Sequence, residues 1–410
     1  MSEHPSVVAA DVAAARAAIS DVVRHTPVVE SEVLTARCGG RVLIKAENLQ
    51  RTGSFKLRGA LGKLAALGDG CDGCDGGVVA GSAGNHAWAL AEAARARGVP
   101  CEVYMPAQAP IAKIEGCEAL GAVVHLVGDS LEDCFAAATA RAQEGGLAFV
   151  HPFDDADVVA GQGTVGLELL EDVDDLAKVV VPLGGGGLSS GIAIAVKSAL
   201  PRVEVVGVQA GACASFAESL RRGEPVGVAS ALTIADGIAV KRPGVITLEL
   251  VQRWLDDVVA VGEDEIAEAM VLLMERSKLV VEGAGAVGVA ALLGGLIEPA
   301  AVGSTVVVLS GGNVDPGLLA AVARRHETQA GRRLVFFTRV ADRPGALARL
   351  LARVAETGAN LVEVEHVREG VDLHVRETGV QLVLETRGRE HAEVVLLALA
   401  EDGYMTRVLG

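Results

Sequence analysis

The sequence Gly53-Ser54-Phe55-Lys56-Leu57-Arg58-Gly59-Ala60 places a lysine between small residues at the head of an alanine-rich apolar segment. We predict a short strand over 42–45, a polar turn after it, and a helix over 57–67. A lysine in this position can keep a nucleophilic amine inside a pocket, because burial lowers the pKa of lysine and leaves more of the free amine. The alternative is a solvated lysine near a helix start, which is the favoured interpretation of this stretch alone; three further stretches overturn it.

The segments beyond the lysine stretch alternate between apolar runs of strand length and amphipathic helical patterns. We predict a first helix over 11–23 with Asp11 as its N-cap, and strands over 78–82, 101–105, 122–127, 148–153, 179–183, 203–209, 258–261 and 305–310. Strands that alternate with helices indicate an α/β fold with parallel sheets covered on both faces. Ligands bind such sheets at the carboxyl ends of the strands, so the turns after these strands are the places to search for a site.

The pattern changes after the basic, glycine-containing segment 329–333. It predicts a strand over 334–340, a helix over 344–357 opened by Pro344, strands over 361–368 and 380–386, a helix over 389–401 and a strand over 404–409. This βαββαβ order is that of a ferredoxin-like unit. We therefore predict a C-terminal domain at 333–410 after a first region at 1–328, in which a smaller α/β domain at about 55–150 is inserted.

The composition limits the partners and the location of the protein. The formal net charge of −17 argues against nucleic acid and anionic membrane, because both repel a surface of that sign. The apolar runs fall short of the roughly 20 residues that a membrane span needs, and the first residues lack the pattern of a signal peptide. We expect a soluble cytoplasmic protein.

The seven cysteines fit a reducing compartment better than a disulfide framework, since their number is odd and they are scattered. Cys71 and Cys74 have the spacing of a redox or zinc-binding pair. A structural zinc site usually needs a second pair, and the sequence contains no comparable one. The flanking glycines and aspartates predict a surface loop at this point instead.

Four consecutive glycines, Gly184, Gly185, Gly186 and Gly187, follow the strand predicted at 179–183 and precede a helix predicted at 190–200. Glycine lets the backbone approach an anion closely, and the free NH groups at a helix start can hold a phosphate. We favour phosphate binding over a flexible turn. The run has neither the GKS/T ending of a triphosphate loop nor the GxGxxG pattern with a following acid, which disfavours ATP and NAD.

Two further turns carry polar groups at strand ends. In the turn at 81–87, the Ser82 hydroxyl and the NH groups around Gly84 can bind a carboxylate, while Asn85 can donate to a phenolate oxygen. Serine and asparagine are also common helix caps, which is the alternative for this segment. The turn at 309–315 says little in isolation.

Together these segments resemble one family: GSFKLRGA with Lys56, SAGNHA at 82–87, GGGG at 184–187 and SGGNVD at 310–315 look like the pyridoxal-phosphate dehydratases of the tryptophan-synthase-beta type fold, and most like threonine ammonia-lyases (threonine dehydratases). The resemblance covers nearly the whole chain and includes HPFDD at 151–155, AGQGT at 160–164, ADGIAV at 235–240 and EGAGA at 282–286. The segment DRPGAL at 342–347 resembles an ACT domain, a regulatory amino-acid-binding module. The implied architecture is a two-domain parallel-sheet enzyme followed by a ferredoxin-like ACT domain.

The resemblance implies that the protein binds pyridoxal 5'-phosphate and converts L-threonine to 2-oxobutanoate and ammonia. Lys56 would attach the cofactor and, once freed, remove the α-proton, and Ser82 would bind the substrate carboxylate. Ser310 would contact the pyridine nitrogen, and since serine does not enforce a protonated ring, prompt loss of a β-substituent is favoured over a long-lived carbanion. The residues implied for the cofactor are Phe55, Lys56, Asn85 (to the ring's 3-oxygen), Gly184, Gly185, Gly186, Gly187, Leu188, Gly237, Glu282 and Ser310, and those for the substrate are Ser82, Ala83, Gly84, Asn85 and His86.

Three positions depart from the family pattern. Ala83 stands where the related serine racemases commonly have a second serine, which favours a one-base elimination over a two-base racemase. Gln209 stands where the racemase branch has an acidic metal ligand, so we expect no catalytic metal, with monovalent or structural ions left open. Trp88 stands where the family often has glutamine, and its effect on substrate size is open.

The polar residues beside these motifs admit more than one interpretation. Arg58 and Glu282 could pair and shape the cofactor pocket, or be solvated. His86 is expected to be structural, because Lys56 is already suited to act as the base.

The substrate and the regulation leave alternatives open. The alternatives to a threonine ammonia-lyase are a serine or threo-3-hydroxyaspartate ammonia-lyase, a serine racemase (disfavoured by Ala83), and a cofactor-binding amino-acid sensor without activity. The ACT loop at 340–346 would bind an amino-acid effector or serve only dimerisation, and isoleucine inhibition, valine activation and no effector are all open. We expect a homodimer or a homotetramer.

Overall fold

Helices cover both faces of the parallel sheets that the alternating pattern predicts. The computed structural model describes residues 7–68, 76–229, 232–368 and 373–409. Its helices are α1 (Ala9–Ile19), α2 (Glu32–Cys38), α3 (Lys56–Leu67), α4 (Asn85–Arg97), α5 (Ile111–Ala119), α6 (Leu131–Gly145), α7 (Ala156–Asp172), α8 (Gly187–Ala199), α9 (Ser215–Arg222), α10 (Val245–Trp254), α11 (Glu263–Leu272), α12 (Gly283–Leu293), α13 (Pro316–Gln329), α14 (Ala346–Glu356) and α15 (Arg389–Glu401).

The strands form three sheets. In chain order they are β1 (Val28–Glu30), β2 (Val42–Ala46), β3 (Val78–Gly81), β4 (Cys101–Met105), β5 (Val123–Leu126), β6 (Ala148–Phe149), β7 (Leu176–Pro182), β8 (Glu204–Ala210), β9 (Asp257–Val261), β10 (Ser304–Leu309), β11 (Arg333–Ala341), β12 (Asn360–Val367), β13 (Glu377–Glu385) and β14 (Thr406–Val408). Contacts divide the chain into two compact units, Met1–Val314 and Asp315–Gly410.

The larger sheet of the first unit has the strand order β1-β2-β10-β7-β8-β9. All neighbours are parallel except β1, which pairs antiparallel with β2. Every residue of β10 is buried, as expected for a central strand covered by helices on both faces. The predicted parallel α/β class is therefore confirmed, while the three-residue strand β1 was not predicted.

The smaller sheet of the first unit has the order β5-β4-β3-β6, and all its neighbours are parallel. It lies in the chain between α3 and α7. Its apolar core includes Leu61, Leu90, Val103 and Met105, all fully buried. Strand β6 has only two residues, although the sequence predicts a strand over 148–153. The chain turns out of the sheet there, because the Nδ1 atom of His151 accepts hydrogen bonds from the backbone N–H groups of Phe153 and Asp154.

The second unit begins with α13 and continues as β11-α14-β12-β13-α15-β14. Its sheet is antiparallel with the order β12-β13-β11-β14, so the predicted βαββαβ order is confirmed. Phe336, Leu350 and Val395 lie in its core. The helix opening was predicted wrongly: α14 begins at Ala346 after Gly345, whose φ of 80° breaks the helical conformation that Pro344 was expected to start.

The first helix also begins earlier than predicted. Helix α1 starts at Ala9, and Asp11 lies in its first turn, where its carboxylate accepts a hydrogen bond from the Val8 N–H group at 2.8 Å. Asp11 therefore satisfies the helix start from inside the helix rather than as the N-cap.

Cys71 and Cys74 lie outside the described residues. Across the described ranges, none of the helices has both the length and the apolar character that crossing a bilayer requires.

The carboxyl ends of three parallel strands bring the polar turns into place. Strand β3 ends at Gly81, β7 at Pro182 and β10 at Leu309. The segments that follow them are SAGNHA, the glycine run and SGGNVD, respectively. The lysine stretch joins them from the loop between β2 and α3.

Candidate active site

Lys56 is the first residue of α3. The loop before it is bonded to the loop after β10, because the Phe55 N–H group donates to the Ser310 carbonyl oxygen at 3.0 Å and Ser54 forms an antiparallel bridge with Gly311. Gly53 turns the chain with a φ of 72°, a conformation that glycine adopts without strain. The end of the central strand β10 therefore positions the lysine.

The amine of Lys56 lies against the turn that follows β6. Its Nζ atom donates a hydrogen bond to the Pro152 carbonyl oxygen at 2.8 Å and lies 5.1 Å from the centre of the Phe55 ring. Burial lowers the pKa of Lys56 to about 8, although the nearby carboxylate of Glu282 opposes the shift. At pH 7 about a tenth of the amine is thus unprotonated, far more than for an exposed lysine with its pKa near 10.5, which supports the pocket interpretation over a solvated lysine.

Arg58 anchors the first turn of α3 from its other side. Its side chain is fully buried and donates two hydrogen bonds of 2.8 Å to Glu47 and two, of 2.7 and 2.9 Å, to Glu168. Lys45 lies 2.7 Å from the same Glu168 carboxylate. Although burial disfavours its charge, Glu47 and Glu168 together raise the pKa of Arg58. Both interpretations of Arg58 were therefore wrong: it neither pairs with Glu282 nor is solvated, and it holds the helix that carries Lys56.

The glycine run forms a backbone surface with no room for side chains. Gly186 is the N-cap of α8 with a φ of 91°, and no side chain caps this helix. A Cβ atom on Gly185 would lie 2.1 Å from the Phe153 ring, and one on Gly184 would lie 2.9 Å from the Ile238 backbone. Leu188 is 5% exposed, so it has only its backbone N–H to offer a ligand. An uncapped, glycine-lined helix start is suited to bind a phosphate.

The side chains of Asn85 and Glu282 are in contact with each other. Asn85 begins α4, and its Nδ2 atom donates to the Glu282 Oε1 atom at 2.7 Å. Burial, and then the Asp236 carboxylate, raise the pKa of Glu282 to about 7 against the hydrogen bond from Asn85. Gly311 packs closely against this carboxyl group, since a Cβ atom there would lie 2.3 Å from Glu282 Oε1. A Cβ atom on Gly237 would lie 3.5 Å from the same oxygen, so this motif also borders the carboxyl group.

Ser82 and the residues after it form an open turn at the end of β3. The Ser82 N–H group donates to the Tyr104 carbonyl oxygen at 2.9 Å, and the Ser82 hydroxyl accepts from the Gly84 N–H group at 3.2 Å. Ala83 is half-buried beside them. A Cβ atom on Gly84 would meet no heavy atom within 4 Å, so there is free space in front of this turn.

The two histidines near Lys56 are uncharged at neutral pH. His86 is 4% exposed, and its Nε2 atom lies 2.9 Å from the Val150 carbonyl oxygen, to which the ring N–H donates. Burial, together with the charge of Lys56, lowers the pKa of His86 to about 3. Burial likewise lowers the pKa of His151 to about 4. The contact with Val150 supports the structural role expected for the His86 side chain.

The two other departures from the family pattern have structural partners. Trp88 donates to the Lys113 carbonyl oxygen at 3.3 Å, and a Cβ atom on Gly116 would lie 2.5 Å from its indole, so Trp88 packs α5 against α4. Gln209 is buried, and its Oε1 atom accepts from the Phe216 N–H group at 3.1 Å. The described ranges contain no group of three His, Cys, Asp or Glu side chains that could hold a metal ion. The expectation of no catalytic metal stays a prediction.

A groove beside the glycine run was not foreseen from the sequence. It has a volume of about 350 Å³ and is lined by His151, Phe153, Asp154, Pro225, Arg242, Pro243, Gly244 and Val245. The Asp154 carboxylate accepts hydrogen bonds of 3.0 Å from the Val245 and Thr247 N–H groups and so binds the first turn of α10. The signal in the sequence was the HPFDD motif, which supplies His151, Phe153 and Asp154, since residues 242–245 belong to no motif recognised in the sequence.

Comparisons with known proteins agree with this geometry. The family model described as "Pyridoxal-phosphate dependent enzyme" matches residues 19–311. The chain is 44% identical to an L-threonine ammonia-lyase of Thermotoga maritima, over 98% of this chain and 99% of the relative. Among solved structures it is similar to a threonine deaminase from T.th., with a TM-score of 0.70, 39% identity and coverage of 76% of this chain and 99% of that one. It is also similar to maize serine racemase, with a TM-score of 0.73, 33% identity and coverage of 79% and 99%.

Proposed function

Because the chain belongs to the pyridoxal-phosphate dependent enzymes, in the branch of the L-threonine ammonia-lyases, we propose that it converts L-threonine to 2-oxobutanoate and ammonia with the residues described above. It is a lyase that uses pyridoxal phosphate. The observation that carries the proposed mechanism is the Lys56 amine. Burial lowers its pKa to about 8, and it donates to the carbonyl oxygen of Pro152, whose neighbour Phe153 packs on Gly185 of the glycine run.

The residues present fit the cofactor. The backbone N–H groups of Gly184 to Leu188 would hold its phosphate, since a Cβ atom on Gly185 would collide with Phe153 and no side chain caps the helix start. Lys56 would attach to its aldehyde carbon, and Asn85 would donate to its ring oxygen. Ser310, 3% exposed at the end of β10, would contact its ring nitrogen. When bound, pyridoxal phosphate supplies an electron sink that makes the α-proton of an amino acid acidic.

The chain's own residues then divide the work of the elimination. The Ser82 hydroxyl and the backbone N–H groups adjacent to it would hold the substrate carboxylate, and Lys56 would accept the α-proton at Nζ. The α carbon–hydrogen bond and the β carbon–oxygen bond break, and the proton taken up by Lys56 leaves with the β-hydroxyl group as water. Addition of water to the remaining unsaturated amine then releases 2-oxobutanoate and ammonia. Ala83 offers no second acid or base, so Lys56 acts as the single base of the proposed reaction.

The nearest alternatives differ in the side chain of the substrate rather than in the chemistry. Serine and threo-3-hydroxyaspartate carry the same β-hydroxyl leaving group, and similarity to a serine racemase keeps racemisation as a second outcome to test. We expect kcat/KM to be highest for L-threonine and expect no D-serine from L-serine. A higher kcat/KM for another amino acid would overturn the substrate assignment, and D-serine formation would overturn the single-base mechanism.

The second unit is proposed to be an ACT domain that responds to an amino acid. Its βαββαβ order and the DRPGAL segment between β11 and α14 support this proposal. The effector would bind near the loop at 340–346. We also propose that the protein forms a homodimer or homotetramer and is located in the cytoplasm. Sedimentation of the purified protein would test its oligomeric state.

A further inference from the structure

Asn313 lies in the loop after β10 and makes two hydrogen bonds through one nitrogen. Its Nδ2 atom donates to the Thr52 carbonyl oxygen at 2.8 Å and to the Asn85 Oδ1 atom at 2.7 Å. An amide nitrogen has two hydrogens, so both are used. Asn313 therefore joins the lysine loop to the first residue of α4.

The position of Asn313 is fixed by close packing. A Cβ atom on Gly53 would lie 2.3 Å from the Asn313 Oδ1 atom, and the Gly312 N–H group donates to the Gly53 carbonyl oxygen at 2.9 Å. A Cβ atom on Gly312 would lie 2.7 Å from the Val280 carbonyl oxygen. The loop is thus closely packed and bonded to the lysine stretch at the point from which Asn313 reaches Asn85.

The bond from Asn313 has a directional consequence for Asn85. Because Asn313 donates, Asn85 must accept through Oδ1, and its NH₂ group points to the other side, where it donates to Glu282 at 2.7 Å. One hydrogen of that NH₂ group is left for a ligand. The two ends of an asparagine amide have nearly the same shape, so hydrogen-bond partners alone decide which end faces the ligand.

Glu282 cannot decide this orientation by itself. When ionised it accepts from the NH₂ group, but a protonated carboxyl group can also donate to an amide oxygen. The charged groups that act on Glu282 are Asp236, Lys113 and Lys56, and its pKa of about 7 means that both forms occur near neutral pH. A partner that only donates, on the far side of Asn85, is needed to keep one orientation in both forms.

We propose that Asn313 is a positioning residue that keeps the Asn85 NH₂ group turned toward the cofactor's ring oxygen whatever the protonation state of Glu282. This inference rests on the proposed function, because it takes Asn85 as the donor to that oxygen. In Asn313→Ala the amide of Asn85 is free to reverse when Glu282 is neutral. In Asn313→Asp a carboxylate of the same shape can only accept, so at every pH it draws the Asn85 NH₂ group away from its native direction, in competition with Glu282 where that group is ionised.

The test is the affinity of the apo full-length protein for pyridoxal phosphate, measured by fluorescence titration between pH 6 and pH 8.5. Relative to the unmodified protein, we expect Asn313→Ala to bind roughly 10-fold more weakly at pH 6 and nearly normally at pH 8.5, as one lost hydrogen bond to a charged group would produce. We expect Asn313→Asp to bind more weakly throughout the range. Asn48→Ala is the matched control, because it removes a nearby buried amide that donates only to Val280.

The outcomes separate this inference from the proposed function. The positioning role would be overturned if the ratio of the pyridoxal-phosphate dissociation constants of Asn313→Ala and the unmodified protein did not change with pH. It would also be overturned if Asn48→Ala showed the same change of affinity with pH. Glu282→Gln combined with Asn313→Ala gives a second check, since a neutral amide at 282 should make the weak binding independent of pH. The unmodified protein could bind pyridoxal phosphate, and the variants could show the expected affinities, without any turnover of L-threonine. That result would refute the proposed function and leave the positioning role standing.

Discussion

The Nζ atom of Lys56 lies 2.8 Å from the carbonyl oxygen of Pro152. This bond places the amine at the start of α3 against the turn that leaves the smaller sheet, on the side of the glycine run. A carbonyl oxygen can accept but not take up a proton, so it orients the amine without competing with it as a base.

Replacing Lys56 with alanine should abolish the visible absorption band of lysine-bound cofactor and reduce 2-oxobutanoate formation by roughly 10³-fold or more, because it removes both the attachment point and the base. Absorption spectra and 2-oxo acid assays of the purified variant measure both effects. Lys63→Ala is the control on the same helix, since Lys63 pairs with Asp155 and Asp157 at 2.7 and 2.9 Å. Turnover that survives in Lys56→Ala would refute the mechanism.

Replacing Glu282 with glutamine should stabilise the apo protein at alkaline pH. The pKa of Glu282 is raised from 4.5 to about 7 in the folded protein, so its contribution to stability is fully present below pH 4.5 and is lost as the pH rises through 7. Glutamine stays neutral, and we expect the variant to be more stable at pH 8 by up to roughly 3 kcal/mol, with little difference near pH 4.5. Urea unfolding at the two pH values measures this, with the exposed Glu224→Gln as control. An equal gain at both pH values would contradict the prediction.

Replacing Gly185 with alanine should weaken the binding of pyridoxal phosphate by roughly 10-fold or more, because the new methyl group would lie 2.1 Å from the Phe153 ring and displace the backbone that holds the phosphate. Gly227→Ala is the matched control, since a Cβ atom there meets nothing within 4 Å. Fluorescence titration of both apo variants with the cofactor gives the comparison. Equal affinities would show that the glycine run does not hold the phosphate.

Replacing Arg58 with methionine should lower the free energy of unfolding by about 3–5 kcal/mol, because Glu47 and Glu168 would be left buried without their main cation. Arg221→Met removes an exposed pair with Glu218 and should leave the unfolding midpoint unchanged. Urea unfolding of the apo proteins distinguishes the two. A small loss in Arg58→Met would mean that Lys45 alone balances both carboxylates.

Deleting residues 315–410 should leave the elimination reaction but remove any response to isoleucine or valine. The first unit contains every proposed catalytic residue, and the threonine deaminase from T.th. is covered over 99% of its length by 76% of this chain. Rates at several threonine concentrations, with and without each amino acid, should be compared between the full and the shortened protein. A response that persists after the deletion would place the effector site in the first unit.

The sequence predicted the fold closely where apolar periodicity is strong. Strand β4 and helix α15 have the predicted bounds, because each is a regular apolar pattern closed by clear turn residues. Strand β1 was missed because three residues carry too little periodicity, and it forms only by pairing with β2. Pro344 was placed inside a helix because proline favours the first helical turn, whereas the left-handed Gly345 after it delays the helix start.

The candidate site could be predicted only in part. Lys56, Asn85 and the glycine run follow strand ends or open helices, which the chain order reveals. The partners of Arg58 could not be foreseen, because Glu47 and Glu168 are 11 and 110 residues away along the chain and only the fold brings them together. Asn313 went unnoticed for the same reason, since its role depends on a bond to a residue 228 positions earlier.

The buried charge cluster around Arg58 limits how this chemistry can be transplanted into another scaffold. Lys56 and its neighbours form a continuous segment of eight residues, 53–60. Arg58, the third residue of α3, nevertheless depends on carboxylates from α7 and from the short helix at Glu47–Leu49. A design that copied only this segment would bury Arg58 without a carboxylate partner. Engineering this site elsewhere therefore requires grafting three separated segments together.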